Sequence, residues 1–397
     1  MFSNPIKHIK YNFTFDLFQK RSINPFYESL VNLTNNKEVL NKCNKTTGLK
    51  SFAIHEVKFI PSFFSLSLNI LDTHYKIFKY KRIDNFKIDL DGFLNSNEYL
   101  KNVMTSKQRK QLKSKTRRLE TCFKISYRFY FGEISETDYK LLFGELKNLI
   151  ERRFNQRGDK FFLEDNWNYL IEETYDLIIG KKASFSVIYN KEKPISISLN
   201  YHFQNITQSY ISSYDIDYSK FGLGHIALLK KLEWCFANNI KILDLMWGKV
   251  SHKVLWSNSI TKYEHHLIYK NNQILKTAYV QLVITLYKIK DSTVLRNILK
   301  SYQKIKRSFT HSLNKSSTKK NMGYEIASSL QKPLKDKITK INIHTNEYAF
   351  LRKPVYDFQY LNSETSDTVQ AFKENSENNS YLIQGLNSHI KVLVNHN

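Results

Sequence analysis

Between residues 135 and 270 the apolar positions switch period in a readable order. Tyr139, Leu142, Phe143, Leu146, Leu149, Ile150 and Phe154 recur at offsets of three and four, which predicts a helix with one buried face. Ser135, with Asp138 three residues on, marks its start as a capping arrangement. Trp167, Leu170, Ile171, Thr174 and Ile178 repeat the spacing up to Gly180. The pattern then turns strand-like over Ala183–Tyr189, Pro194–Phe203 and Thr207–Asp215, with short turns between, which predicts an antiparallel meander. Phe221-Gly-Leu-Gly-His opens another helix, with Leu228, Leu232, Cys235 and Phe236 on one face and Asn238-Asn239 at its end. Ile240–Trp247 and Tyr263–Lys270 read as strands around a short helix at His252–Trp256.

The flanks are less regular. Phe52–Phe64 and Tyr75–Tyr80 read as strands, and Lys87–Asp91 alternates until Gly92 breaks it. Ser96–Glu120 predicts one polar helix whose sparse seam is Val103 or Met104, Leu112 and Leu119, so it should lie across a surface. Cys122–Phe131 reads as a strand. Residues 274–309 predict a long basic amphipathic helix, or two, with Leu295, Ile298, Leu299, Tyr302, Ile305 and Phe309 as the later stripe. In residues 321–397 only Ile341–Ile343, Tyr381–Ile383 and Ile390–Val394 suggest strands.

Composition narrows the class. A chain of 397 residues suggests two to three domains, and 14% aromatics give it the apolar area to fold. Cys43, Cys122 and Cys235 lie far apart, which excludes a disulfide scaffold and a CxxC zinc site and suits a reducing compartment. The opening residues lack an apolar segment before a small-residue cleavage site. The most apolar runs, Phe63–Leu71 and Ala278–Tyr287, fall short of the roughly 18 residues that span a bilayer. The expectation is a soluble cytoplasmic protein without a transmembrane segment, with peripheral membrane contact left open. The net charge of +25 points to an anionic partner. It is uneven: residues 101–118 hold eight Lys/Arg and no acid, and residues 276–320 hold eleven against Asp291 alone.

The turn Ser219-Lys-Phe-Gly-Leu-Gly-His-Ile226 sits between a strand and a helix. Glycines there let the backbone approach an anion, and helix N-terminal amides face it; a pyrophosphate is the natural guest. A plain turn before a core helix is the alternative. Its place after an antiparallel meander, rather than in a βαβ unit, argues against a dinucleotide fold.

These elements, in this order, resemble the GNAT acyltransferase superfamily, and more closely its cellulose-biosynthesis-associated, acetyltransferase-like branch. The residues that carry the resemblance are Tyr214-Asp215-Ile-Asp-Tyr218, the Gly222-Leu-Gly-His turn, Asp244-Leu-Met-Trp-Gly248, His252-Lys253, Trp256 and the basic run Ser106–Glu120. The resemblance covers about residues 84–270. It implies an α+β fold: a GNAT-like mixed, mostly antiparallel sheet flanked by helices. Two GNAT-like halves would be followed by a basic helical extension. The implied domains are residues 1–121 as a degenerate first half with its basic helix at 96–120, and 122–270 as the acyltransferase domain. A basic helical extension over 271–320 and a tail of undetermined structure over 321–397 complete the chain. It further implies that Phe221, Gly222, Leu223, Gly224, His225 and Ile226 hold acetyl-CoA or another acyl-CoA. Two departures stand out: His252 replaces the family's tyrosine, and Ser219 replaces the arginine or glutamine usual three places before the first turn glycine. The first removes a tyrosine general acid, and the second leaves fewer side-chain contacts to the pyrophosphate.

N-acyl transfer needs a positioned thioester, a polarised carbonyl and a base near the amine. Backbone amides of Ser209–Tyr214 could polarise the carbonyl. Asp215 could bind or deprotonate the amine, or simply cap a turn. Asp244 lies in an apolar strand, where a carboxylate needs a partner such as Lys253; an ion pair and catalysis are both open. Lys253 could instead meet a ligand phosphate. His252 titrates near neutrality and could act as acid or base, or sit on a surface. His265 and His266 point to opposite sides of a strand, one of them expected in solvent. No metal site is expected, and Trp247 and Trp256 read as core. The acceptor by resemblance is an amine, such as an amino sugar or cell-surface glycan precursor. The alternatives are Fem-like transfer from aminoacyl-tRNA, and a non-catalytic nucleic-acid or membrane-surface binding protein on the same fold.

Overall fold

The computed structural model describes residues 7–42, 53–68, 75–158, 166–270, 274–291, 323–327, 338–375, 377 and 379–395. Cys43 and the stripe from Leu295 to Phe309 lie outside them. In chain order the elements are β1 (Lys7–Asn12), α1 (Phe13–Phe18), β2 (Tyr27–Asn32), β3 (Lys37–Leu40), β4 (Ala53–Ile60), β5 (Phe64–Leu68) and β6 (Tyr75–Asp89). There follow α2 (Ser96–Val103), α3 (Ser106–Cys122), β7 (Ile125–Tyr130), α4 (Glu136–Arg157), α5 (Trp167–Ile179), β8 (Ala183–Asn190), β9 (Lys193–Phe203) and β10 (Ile206–Tyr214). A 3-10 turn (Ile216–Phe221) leads to α6 (Leu223–Ala237), β11 (Ile242–Asp244), α7 (Ser251–Trp256), β12 (Ser259–Lys270) and α8 (Ile274–Asp291). Last come β13 (Gly323–Ala327), β14 (Ile338–Ile341), α9 (Arg352–Asn362), β15 (Gln370–Glu374), β16 (Ser380–Gln384) and β17 (His389–Asn395). The fold is mixed α+β, with large, mostly antiparallel sheets flanked by helices. Among the described residues no helix is long and apolar enough to cross a membrane.

The chain divides into two compact units: residues 1–92, 201–208 and 239–317 form one, and residues 93–200, 209–238 and 318–397 the other. The division falls inside β9 and β10. In the first unit β1, β4, β12, β6 and β11 are successive neighbours. The β6–β12 ladder carries it, running from Ser259 opposite Lys87 to Lys270 opposite Tyr75. β1 runs parallel to β4, and Ile206–Gln208 pair in parallel with Ile242–Asp244. A smaller sheet sets β2 between β3 and β5. Helix α8 buries Val280, Val283 and Ile284 against Ile54, Leu267 and Tyr269.

In the second unit β7 pairs antiparallel with β8, and two-residue turns join β8 to β9 and β9 to β10, the predicted meander. Ser135 Oγ accepts the Asp138 N–H at 3.0 Å and starts α4, which buries the predicted stripe from Tyr139 to Ile150. The residues beyond 337 carry more structure than their pattern suggested. β14 to β17, with β13, form a five-stranded sheet. Helix α9 packs with it, and Leu351, Val355, Tyr356, Phe358, Ile383 and Val392 share one core with Leu119, Phe123, Tyr218, Phe221, Leu223 and Ile226.

Three predicted elements come out differently. The single helix over Ser96–Glu120 is two, because Met104 and Thr105 are extended. Thr105 then restarts the chain as a capping box, its Oγ1 accepting from Gln108 N at 3.3 Å while Gln108 Oε1 accepts from Thr105 N at 2.8 Å. Phe52–Phe64 holds a strand, a turn at Pro61–Phe63 and the start of another strand. The strand over Ile240–Trp247 pairs for three residues only, since Met246 takes a φ of +63° and turns the chain away.

Candidate functional site

The glycine turn belongs to the second unit. Asp215, just past β10, caps the 3-10 turn by accepting the Asp217 N–H at 3.1 Å. The chain then reverses at Gly222, whose φ of +71° and ψ of +43° lie in the left-handed region that glycine adopts most cheaply. Its carbonyl accepts from His225 N at 2.9 Å and Ile226 N at 3.3 Å, so the Leu223 and Gly224 amides open α6 ahead of the helix's own ladder. Gly224 has a separate reason to be small: a Cβ there would stand 3.3 Å from the Tyr214 ring. Phe221, Leu223 and Ile226 are fully buried, so of the six predicted cofactor residues these three can offer a ligand only backbone. Underneath, Tyr218 packs on Tyr356 with centroids 4.6 Å apart, and Phe221 on Phe123 at 5.4 Å. These rings fix the turn from below.

A cation that the sequence did not single out stands over this turn. The Lys115 side chain, from α3, passes 3.2 Å from where a Gly222 Cβ would be, with Nζ at 3.5 Å. Burial and the Lys115 charge together push the His225 imidazole below its ordinary range. Lys115 was visible only as one of eight basic residues in 101–118; the packing of α3 against α6 selects it. On the same helix Lys107, Lys110, Lys113 and Arg117 are exposed.

Asp215 is 1% exposed, and its carboxylate is taken up on both oxygens. Oδ1 accepts from Arg152 Nη1 at 2.7 Å and Oδ2 from Lys193 Nζ at 3.2 Å. Arg152 also reaches both Asp217 oxygens at 3.1 Å. Burial favours the protonated carboxyl, but Arg152 and Lys193 outweigh it and hold Asp215 below its ordinary value. Asp217, buried beside the Asp215 charge, is pushed up. Arg152 escaped notice in the sequence because it lies off the apolar stripe of α4.

Asp244, His252 and Lys253 belong to the first unit. Asp244 is fully buried, and its Oδ1 accepts from Asn85 Nδ2 at 2.7 Å and Met246 N at 2.8 Å. Asn85 also donates to the Tyr263 hydroxyl at 2.8 Å. Burial raises the Asp244 carboxyl; donors from Met246, Asn85 and Gln208, and the Lys253 charge, pull the other way without overcoming it. The expected Asp244–Lys253 contact is replaced: Lys253 Nζ donates to the Trp247 carbonyl. Burial lowers the Lys253 amine to about 8. His252 is exposed on the one-and-a-half turns of α7. Trp256 is core, and Trp247 stacks on Phe59 at 4.6 Å.

His265 and His266 do point opposite ways, but both are 1% exposed, against the expectation that one faces solvent. Layers cover both faces of β12. His266 Nδ1 lies 2.7 Å from the Tyr27 hydroxyl and Nε2 2.7 Å from Glu264. His265 packs on Phe59 and Tyr80, 3.9 Å from Glu56. Glu56 is itself buried, and takes hydroxyl donors from Tyr80 at 2.8 Å and Tyr287 at 3.2 Å, with His8 at 3.0 Å. Burial opposes its ionisation, yet hydrogen bonds from His265, His8 and Tyr80 hold it well below the usual carboxylate range.

Residues 106–254 match the family model of the acetyltransferase (GNAT) domain. No curated protein matches the chain. Among solved structures, similarity is found to the C-terminal domain of a putative lysylphosphatidylglycerol synthetase from Agrobacterium fabrum, at 9% identity over 59% of this chain and 72% of that one, with a TM-score of 0.38. FemX is similar at 10% identity over 52% of this chain and 65% of that one, TM-score 0.38. A tandem GNAT protein from the clavulanic acid biosynthesis pathway is similar at 8% identity over 59% and 72%, TM-score 0.29.

Proposed function

We propose that the protein moves an acyl group from an acyl-CoA to an amine, with an amino sugar or other glycan precursor as the acceptor class, since residues 106–254 match the model of the acetyltransferase (GNAT) domain. The observation that carries the coenzyme reading is the Gly222–Gly224 turn, where left-handed backbone, the first amides of α6 and Lys115 converge. A pyrophosphate would take the Leu223 and Gly224 amides, and Lys115 would supply the cation that Ser219 cannot. Amides of β10 beyond Ser209 would polarise the thioester carbonyl. Asp215, held ionised by two cations, would fix the turn rather than carry a proton. Within the first unit the lowered Lys253 amine is partly unprotonated near neutrality and could accept a proton there.

Calorimetric titration with acetyl-CoA at two salt concentrations tests the reading. Binding that persists at the higher salt is expected, and Gly224→Val should remove it by driving a side chain into Tyr214. Full binding by Gly224→Val would show the turn to be structural. A second reading, transfer from aminoacyl-tRNA, is favoured by the exposed Lys107, Lys110, Lys113 and Arg117 on α3. It predicts tRNA binding that weakens steeply with salt, and no coenzyme binding. Salt-sensitive binding without any transfer would leave a binding module on the same fold.

A further inference from the structure

Lys231 sits on the inner face of α6, 2% exposed, among Leu228, Leu232 and Cys235. Its Nζ lies 2.7 Å from Ser209 Oγ on β10. No carboxylate forms an ion pair with it among the described residues. An ammonium has three donors and is costly to bury beside one hydroxyl; a neutral amine in the same place is not. Burial accordingly lowers this amine to about 7, with Cys235 a weaker opposing influence. As an ammonium, Nζ donates to Ser209 Oγ; once unprotonated, it can accept the Ser209 hydroxyl proton. Ser209, unlike Lys231, is partly exposed, and its hydroxyl has this amine behind it.

The geometry points to Ser209 and Lys231 as a nucleophile–base pair that holds the acyl group covalently between donor and acceptor. This deepens the acyl-transfer reading and rests on it. Ser209 Oγ bonds to the carbonyl carbon of the thioester, and its proton passes to Lys231 Nζ. The C–S bond breaks, and the thiolate leaves with that proton. The acceptor amine then bonds to the same carbon, the C–Oγ bond breaks, and the amine's proton returns through Lys231 to Ser209.

The test is acylation of the purified full chain by p-nitrophenyl acetate and, separately, by acetyl-CoA, read by intact mass and peptide mapping from pH 6 to 9. One acetyl group per chain on Ser209 is expected, at a rate that rises through about pH 7. Ser209→Ala should lose it, and Lys231→Met should slow it at least ~100-fold while melting no earlier than wild type. An adduct that survives Ser209→Ala, or none from either donor, overturns the pair. The two readings fail separately. Equal amine acetylation by wild type and Ser209→Ala would remove the covalent step and keep the transferase. Acylation of Ser209 by the ester, with no binding of acetyl-CoA, would keep the pair and remove the coenzyme.

Discussion

Asp215 and Asp244 occupy comparable places, each at the end of a strand and each almost wholly buried, at 1% and 0% exposure. Their surroundings drive them apart. Asp215 meets Arg152 and Lys193 and stays ionised; Asp244 is held mainly by amide and backbone N–H donors, with the Lys253 charge the weakest of the influences that oppose burial, and burial raises it. Formal charge decides the direction, because neutral donors repay less of the desolvation cost than cations within 4 Å do. One carboxylate is therefore suited to holding a turn, and the other to changing its protonation.

The largest effect that would break the contrast comes from Arg152→Ala. It strips Asp215 of its closest cation and should cost roughly 2 kcal/mol in chemical denaturation at neutral pH. That is below the 3–5 kcal/mol of a fully buried pair, because Arg152 is 41% exposed. The sign with pH follows: a carboxyl depressed on folding stabilises above its unfolded value and loses that contribution as pH falls through its folded one. The gap between variant and wild type should thus close below about pH 4. An unchanged gap at pH 2 would mean Arg152 acts through packing. Asp244→Asn should do the opposite at smaller size, within about 1 kcal/mol at neutral pH. A carboxyl raised on folding makes wild type lose stability as pH climbs from its unfolded to its folded value, and that slope should vanish in the variant. Lys253→Gln should remove a pH dependence on the alkaline side. An amine lowered to about 8 makes stability rise between there and about 10.4, by at most ~1.4 kcal/mol per pH unit, and the variant should lack the rise. The smallest change expected is Lys193→Ala, at about 0.2–1 kcal/mol, since half of that side chain is in solvent.

The helices α4, α5 and α6 and the meander were legible because their apolar period is local and long. The same holds for Gly222, whose turn needs a residue tolerant of positive φ. What escaped notice depends on contacts distant in sequence. Lys115 reaches Gly222 from α3, and Arg152 reaches Asp215 from α4. Lys231 read as a polar interruption of a core face, and only burial against Ser209 distinguishes it. The second buried histidine of β12 was missed for a related reason: alternation assigns faces but not what covers them. Helix α9 gave no signal because Pro354 and the polar residues around it mask its period.

The core beneath the glycine turn is closed by residues from Leu351 to Val394, far downstream of the turn itself. During synthesis Tyr218, Phe221 and Ile226 emerge from the ribosome well before the chain that will cover them. A message truncated anywhere before α9 would therefore yield a product that keeps every residue of the turn yet leaves its aromatic underside bare, a natural substrate for chaperones and proteases.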